Sequence, residues 1–201
     1  MKPDGGATQP LPEKRTLLQR ACLGLLRLFG WRILTAPLPG PKGVIIVYPH
    51  TSNWDFIIGL LYRLGTGLQT NWMGKDTMFF WPLRRMFERM GGVPINRREP
   101  RGFIRDMLTA YREREWLWLS LAPEGTRAPS DHLKSGFYQL AVGAGVPCGL
   151  GFIDYRTKSV GIQTFVRFSG NAEEDLAVIR DFYADKGGKF PEKASQIRFR
   201  R

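Results

Sequence analysis

The stretch VIIVYPHTSNWDF, residues 44–56, joins a strand-like run to a helical pattern. It opens with a continuous apolar, largely β-branched run, which is typical of a strand buried on both faces of a sheet. A helical pattern follows from about Asn53 to Leu64. Between them lie His50, one of only two histidines in the chain, and Asp55, five residues later. The stretch therefore predicts a strand that leads into a helix, with polar chemistry at the turn.

The same alternation continues along the chain. Further strands are predicted at 70–74, 92–96, 116–122, 146–154 and 159–170, and helices at 81–90, 100–115, 133–145 and 172–186. Strands that alternate with helices indicate an α/β fold, with a mostly parallel central sheet flanked by helices on both faces. A chain of 201 residues suits one such domain.

The N-terminal region divides into two parts. Residues 1–13 are rich in glycine, proline and polar side chains and are expected to be flexible. Residues 14–36 are expected to form an amphipathic helix at a membrane interface, before an α/β domain at 37–201. The apolar arc of this helix consists of Leu17, Leu18, Ala21, Leu25, Leu28 and Phe29. The arc, with Trp31 near its end, fits a membrane-interface helix, and it equally fits a helix that packs on the protein's own core.

The chain is strongly basic, with 30 Lys and Arg against 18 Asp and Glu and a formal net charge of +12. Such a surface attracts polyanions, namely nucleic acids, anionic lipids or acidic proteins. Nucleic acid is disfavoured because the basic residues are dispersed and no nucleic-acid-binding motif is present. No apolar run reaches the roughly 20 residues of a membrane-spanning helix. Two cysteines favour a reducing compartment, and no Cys/His cluster has zinc spacing.

Unusual polar residues follow three of the predicted strands. PHTSNWD follows the first strand, NRR follows GVPI, and PEGTR follows WLWLSLA. In open α/β sheets, ligands bind at the carboxyl ends of the strands. We therefore expect these three segments to lie close together and to form a site.

Two interpretations of His50 and Asp55 are open on the residues alone. Ser52 and Asp55 fit the S-x-x-D capping box, in which case His50 is only a strand-end residue. Alternatively, His50 is a base that takes a proton from a hydroxyl, and Asp55 holds its other ring nitrogen. Ser52 itself is not expected to be a covalent nucleophile, because no G-x-S-x-G turn surrounds it.

The segment PEGTR and the lysine that follows it predict an anion site. Gly125 permits a tight turn, into which Thr126 and Arg127 point hydrogen-bond donors. Arg127 and Lys134 are cations, and an arginine can hold a phosphate through two parallel hydrogen bonds. Glu124 is expected to orient an arginine or to accept a hydrogen bond from a substrate hydroxyl. A charged surface turn is the alternative.

In order, HTSNWD, GVPINR, PEGTR and VP resemble the four sequence blocks of the glycerolipid acyltransferase family, which is typified by 1-acylglycerol-3-phosphate acyltransferases with an H-x4-D motif. The blocks cover about residues 44 to 155. The resemblance implies an acyltransferase domain at 37–201. It would transfer a fatty acyl group from acyl-CoA or acyl carrier protein to the hydroxyl of a lysophospholipid such as 1-acylglycerol 3-phosphate.

The resemblance also implies a role for each matching residue. His50 is similar to the family's general base, and Asp55 to the residue that orients it. Arg97 matches the position that contacts the acceptor's phosphate. The second acceptor-binding block is matched by Glu124, Gly125, Thr126 and Arg127. Lys134 matches a frequent basic position near the phosphate or thioester, whereas His132 matches no family position.

The resemblance implies neither a metal ion nor a cofactor beyond the acyl donor. The expected partners are membrane lipids and an anionic bilayer surface, contacted by the N-terminal helix and QIRFRR (196–201), and the expected location is the periphery of a membrane on its cytoplasmic face. Two alternatives remain: an acyltransferase that acts on another lipid, such as a lyso-aminolipid or glycolipid, and a non-enzymatic basic protein that binds membranes.

Overall fold

The computed structural model of this protein describes residue 12, residues 14–95 and residues 100–200. The strands in these residues are β1 (Arg32–Thr35), β2 (Lys42–Val47), β3 (Asn71–Lys75), β4 (Gly92–Ile95), β5 (Leu117–Leu121), β6 (Cys148–Asp154) and β7 (Ser159–Val166). They form one sheet in the order β1-β7-β6-β2-β5-β3-β4.

Most neighbouring strands of this sheet run in the same direction. β6, β2, β5, β3 and β4 are joined by parallel pairs. β7 lies antiparallel to β6, and β1 pairs in parallel with β7, so these two strands form an edge that runs the opposite way. The predicted α/β fold with a mostly parallel sheet is confirmed.

Helices cover both faces of the sheet. In the described residues they are α1 (Leu17–Leu28), α2 (Trp54–Thr66), α3 (Leu83–Arg89), α4 (Pro100–Glu113), α5 (Gly136–Ala144) and α6 (Ala172–Tyr183). Alternate residues of a strand point to opposite faces of a sheet. Accordingly, Val44 and Ile46 of β2 join the apolar cluster that holds α4, α5 and α6, whereas Ile45 joins the cluster that holds α1 and α2. Each helix and strand predicted between residues 44 and 186 is present, with ends that differ by a few residues.

The observed N-terminal helix is shorter than the predicted one over 14–36. α1 ends in a Schellman turn, in which Gly30 has a φ of 81°. The Gly30 N–H donates to the Arg27 carbonyl, and the Trp31 N–H donates to the Leu26 carbonyl. The chain then enters β1, which pairs with β7. The predicted domain boundary therefore falls inside the sheet-forming domain.

Two faces of α1 are apolar. Cys22, Leu23 and Leu26 are buried, and they pack the helix against its neighbours, chiefly α2. The arc that the sequence singled out is a different set, and all its members are exposed: Leu17, Leu18, Ala21, Leu25, Leu28 and Phe29. One face thus packs on the protein's own core, and membrane contact by the other stays a prediction. In the described part of the chain, no helix is long and apolar enough to cross a membrane.

A tight contact in the sheet generates the first prediction. A methyl group on Gly43 of β2 would come within 2.2 Å of the Trp118 ring. Trp118 is fully buried, and its indole N–H donates to the Gly40 carbonyl at 2.8 Å, so the ring is held in place. We expect Gly43→Ala to lower the free energy of unfolding by about 1–3 kcal/mol, as measured by urea denaturation.

Gly24→Ala is the matched control. Gly24 is exposed in α1, and nothing lies within 4 Å of the position that its new methyl group would occupy. Because alanine favours a helix, this change should raise the free energy of unfolding by up to about 1 kcal/mol. Equal effects of the two substitutions would contradict the importance of the contact with Trp118.

Candidate active site

His50 and Asp55 lie together where β2 leads into α2. The distance between His50 Nδ1 and Asp55 Oδ2 is 3.3 Å. The carboxylate is buried, whereas the imidazole keeps 17% of its surface exposed and lines a cavity. Because Nδ1 faces Asp55, Nε2 is the ring nitrogen left for a molecule in the cavity.

Asp55 bonds to the turn before its own helix and contacts the imidazole at the same time. Its Oδ2 accepts a hydrogen bond from the Ser52 N–H at 2.8 Å, and its Oδ1 accepts one from the Tyr155 hydroxyl at 2.7 Å. The Ser52 hydroxyl accepts from the Trp54 N–H at 3.2 Å, so it serves the first turn of α2. The two interpretations that the sequence left open are therefore compatible: Oδ2 accepts from the Ser52 amide and also lies 3.3 Å from His50 Nδ1, and a carboxylate oxygen has two lone pairs for two such contacts.

The surroundings of Asp55 favour its ionised form. Burial alone would raise the pKa of this carboxyl, but the interactions with His50, the Ser52 amide and the Tyr155 hydroxyl outweigh it, and the pKa lies below its usual value. The folded protein thus binds the proton less tightly than the unfolded chain does. The folded state is therefore stabilised by Asp55 at a pH above the usual pKa of about 4, and this stabilisation is lost as the pH falls through the lowered pKa.

Tyr155 is a contact of the site that the sequence did not reveal. It directly follows β6, 100 residues after Asp55, and its ring stands edge-on to Trp31 with the ring centres 5.1 Å apart. Burial and the neighbouring Asp55 raise the pKa of Tyr155, so its hydroxyl remains a donor near neutral pH. A tyrosine in a polar turn carries no sequence signal of this contact. The pairing of β6 with β2 brings it to the site.

Glu124 is buried and bonds to the main chain, so the predicted contact with a substrate hydroxyl stays a prediction. Its buried carboxylate accepts hydrogen bonds from two main-chain amides, from the His50 N–H at 2.5 Å and from the Ser195 N–H at 3.1 Å. Burial raises the pKa of Glu124 despite these bonds. Each of the two amides donates to a different oxygen, so the carboxylate holds the main chain of His50 and that of Ser195.

The other residues of the predicted anion site do reach the cavity. Gly125, Thr126, Arg127 and Lys134 line it, and the last three are exposed. Gly125 has a φ of 66°, which favours glycine, and a Cβ there would lie 3.3 Å from Cγ of Lys134. The Thr126 hydroxyl accepts from the Ala128 N–H at 3.1 Å, which closes the turn. The structure thus brings two predicted cations, Arg127 and Lys134, to the same cavity as His50.

The cavity has a volume of about 840 Å³ and a largely apolar lining. The sheet and helices α2, α4 and α5 supply this lining, which includes Val47, Leu60, Met73, Phe103, Phe137 and Ile153. Lys75, at the carboxyl end of β3, is a further cation of the lining that the sequence did not single out. Arg63 also reaches the cavity, but its Nε donates to the Thr70 carbonyl at 2.6 Å. An apolar body with cations at one edge fits a ligand with a long apolar part and an anionic end.

Two remaining predictions concern Arg97 and His132. Arg97 lies outside the described residues. His132, which matches no family position, has Nδ1 2.6 Å from Asp131 Oδ1 and Nε2 3.4 Å from Nζ of Lys134. In residue 12 and the ranges 14–95 and 100–200, no three His, Cys, Asp or Glu side chains are grouped so that they could hold a metal ion.

Comparison with known proteins gives a family match and a structural match. The model of the family described as Acyltransferase matches residues 35–149, more than half of the chain. The fold is similar to the crystal structure of the 1-acyl-sn-glycerophosphate (LPA) acyltransferase PlsC from Thermotoga maritima, with a TM-score of 0.51 and 16% sequence identity over 86% of this chain and 80% of that one. No significant match was found among curated protein sequences.

The two amides bonded to Glu124 generate the second prediction. Glu124→Gln removes a buried charge, but its amide offers one oxygen where the carboxylate offers two, so one of the two N–H groups would face an NH2 donor. An unsatisfied buried donor costs about 1–3 kcal/mol. We therefore expect Glu124→Gln to lower the free energy of unfolding by about that amount, as measured by guanidinium denaturation.

The matched control is Glu173→Gln on the surface. Glu173 is largely exposed and pairs with Arg180 at 2.8 Å. Exposed pairs of this kind contribute about 0–1 kcal/mol, so the free energy of unfolding of the control should be close to that of the wild type. If Glu124→Gln left the free energy of unfolding equally unchanged, the two main-chain hydrogen bonds would not require a carboxylate at this position.

Proposed function

This chain belongs to the acyltransferase family, and from that premise we propose that it transfers a fatty acyl group from an acyl thioester to the hydroxyl of a lysophospholipid such as 1-acylglycerol 3-phosphate. The observation that carries the proposal is the contact between His50 and Asp55 at an apolar cavity that Arg127 and Lys134 also line. An acyl chain suits the apolar lining, and a phosphate suits the cations.

In the proposed reaction His50 is the general base. Its Nε2 takes the proton of the acceptor hydroxyl while the hydroxyl oxygen attacks the carbonyl carbon of the thioester. The tetrahedral intermediate collapses, the bond from carbon to sulfur breaks, and the proton passes from His50 to the departing thiolate. Ser52 has no nucleophilic role in this scheme; it is buried, and its hydroxyl accepts from the Trp54 amide.

Asp55 orients the imidazole of His50 for this step. Its carboxylate holds Nδ1, which leaves Nε2 free to accept a proton, and it stabilises the imidazolium that forms. Tyr155 and the Ser52 amide hold the carboxylate in turn. Glu124 independently holds the main-chain N–H of His50. The ring and the main chain of the base are thus fixed by separate contacts, as preorganised catalysis requires.

The cations at the cavity provide the proposed acceptor site. Arg127 offers a planar fork that can bind two phosphate oxygens at once, and Lys134 adds a point charge. Arg97 matches the family position for the same phosphate. Lys75 supports them, because it lines the same cavity from the end of β3.

The donor is proposed to be acyl-CoA or acyl carrier protein, and the reaction needs no metal ion or further cofactor. Both donors are anionic, so the net charge of +12 favours their approach. Since the acceptor lies in a bilayer, we propose that the protein is peripheral on the cytoplasmic face of a membrane. The exposed apolar arc of α1 is the proposed contact with anionic lipid.

The third prediction tests the pair of His50 and Asp55. We expect His50→Ala and Asp55→Asn each to lower kcat by roughly 10²–10⁴, because the first removes the base and the second favours the wrong imidazole tautomer. Steady-state kinetics with a labelled acyl thioester and a short-chain acceptor would measure the loss. A folded His50→Ala variant with normal turnover would rule out the mechanism.

Asp175 provides a closely matched control for Asp55. It is also a buried aspartate in the first turn of a helix, and it accepts hydrogen bonds from the Tyr138 hydroxyl at 2.8 Å and the Ser169 N–H at 2.9 Å. Asp175→Asn should therefore cost similar stability but leave kcat unchanged. If both variants lost activity in proportion to lost stability, Asp55 would have only a structural role.

The fourth prediction concerns the acceptor phosphate. Arg127→Lys keeps the charge but loses the planar fork, so the KM for a lysophospholipid with a terminal phosphate should rise about tenfold. The matched control is Arg112→Lys on the exposed face of α4, which should leave the KM unchanged. A panel of lysophosphatidate, a lyso-aminolipid and a glycolipid acceptor would complete the test. If Arg127→Lys left the KM for lysophosphatidate unchanged, the acceptor would belong to another lipid class.

A further inference from the structure

A second exposed apolar surface lies in the segment between β3 and β4. It consists of Phe80, Trp81 and Met86, here named the aromatic tip. Phe80 is 56% exposed, Trp81 89% and Met86 46%. Single exposed apolar residues are ordinary, but two adjacent large aromatic side chains with a nearby methionine indicate a surface that contacts something.

The aromatic tip stands on a well-packed base, so its exposure is not that of a loose loop. Phe79 is buried and stacks on Trp72 with ring centres 5.6 Å apart. Phe87 meets Trp72 edge-on at 5.7 Å, and it also contacts Phe56 of α2 at 6.3 Å. The inward side chains of the segment therefore tie it to the sheet and to α2, while the aromatic tip points outward.

The helix that carries Met86 of the aromatic tip also carries cations. Arg84, Arg85 and Arg89 of α3 are all exposed. Arg84 bonds to Glu88 at 2.8 Å, which holds one guanidinium in the same helix. Aromatic side chains together with arginines are typical of protein surfaces that bind the headgroup region of anionic membranes, where tryptophan is enriched and basic residues are attracted to the anionic lipid.

The aromatic tip also lies next to the candidate active site. Lys75 and Met78, which begin the same segment, line the cavity, as does Phe56, which contacts Phe87. A lipid bound at the aromatic tip would therefore be close to the edge of the cavity. Such closeness is useful to an enzyme whose acceptor is a membrane lipid, so this inference rests on the proposed function.

We propose that the aromatic tip inserts into the headgroup region of an anionic bilayer and turns the cavity towards the lipid. The exposed arc of α1 is the first membrane contact, and the aromatic tip is a second. α1 packs on α2 and β1, whereas the aromatic tip follows β3, near the opposite edge of the sheet. One contact leaves the protein free to rotate on the membrane, and two separate contacts fix its orientation.

The test uses the full chain with the aromatic tip changed by Phe80→Ser and Trp81→Ser together. Binding is measured by sedimentation with vesicles of phosphatidylglycerol and phosphatidylcholine, and with vesicles of phosphatidylcholine alone. We expect the double variant to bind anionic vesicles at least about tenfold more weakly than the wild type, because insertion of apolar side chains contributes to interfacial binding. Its kcat on a short-chain soluble acceptor should be unchanged.

Val178→Ser is the matched control, because Val178 is 50% exposed on α6, outside the aromatic tip. It should bind vesicles like the wild type. Arg84→Gln with Arg85→Gln should weaken binding to anionic vesicles and leave binding to neutral ones unchanged. Quenching of tryptophan fluorescence by brominated lipid should fall in Trp81→Phe, because Trp81 is the side chain proposed to enter the bilayer.

Three outcomes would overturn the proposal. The first is wild-type vesicle binding by the double variant. The second is weaker binding of acyl carrier protein by the double variant while its vesicle binding is intact. The third is a change of oligomeric state while vesicle binding is intact. Vesicle binding does not require turnover, so the two proposals fail separately. Binding that depends on the aromatic tip in a protein without acyl transfer would refute only the proposed function. Acyl transfer with normal vesicle binding by the double variant would refute only the membrane insertion.

Discussion

The buried carboxylate of Glu124 is the constraint on which the geometry of the site depends. A buried charge is tolerated only where hydrogen bonds replace its water, and here two main-chain amides do so. One amide belongs to His50 and the other to Ser195. The hydroxyl of Tyr48 donates to the Ser195 carbonyl at 2.7 Å, which closes the connection. The carboxyl ends of β2 and β5 and the C-terminal segment are thereby held together. The main chain of His50 cannot shift without depriving the buried carboxylate of a hydrogen-bond partner.

Asp55, the second carboxylate of the site, is held by a set of hydrogen bonds that also occurs elsewhere in the fold. Asp175 is likewise buried in the first turn of its helix, accepts from a tyrosine hydroxyl and from main-chain amides, and has a lowered pKa through those bonds, which outweigh its burial. The two aspartates differ in their neighbours. Asp55 contacts His50 and the lining of a cavity, whereas Asp175 stabilises the start of α6. The fold therefore uses this arrangement at a purely structural position as well, and the contact with His50 is what the proposed chemistry of Asp55 depends on.

The order of strands explains how one small domain combines the site with two exposed apolar surfaces. β2 and β5 are neighbours near the middle of the sheet, so His50 and the turn around Glu124 meet there. β3 and β4 form one end of the sheet and carry the aromatic tip, and β1 forms the other end next to α1. Both surfaces leave large apolar side chains exposed, and contiguous exposed apolar patches commonly mark a contact with a membrane or a protein partner. The proposed membrane-bound acceptor would give this layout a single physical reason.

The sequence by itself determined the alternation of strands and helices and indicated His50 and Asp55 as a candidate pair, because these signals lie within a few residues of one another. It did not determine β1, where the apolar run of α1 continues through Ile33 and Leu34 and conceals the turn at Gly30. Nor did it reveal Tyr155 or the bond from Ser195 to Glu124, whose partners lie 100 and 71 residues apart. Local periodicity records which face of an element is buried, but the partner that covers this face depends on the order in which the strands assemble. Only the tertiary structure could therefore decide that Glu124 holds the main chain of His50 and that Tyr155 holds Asp55.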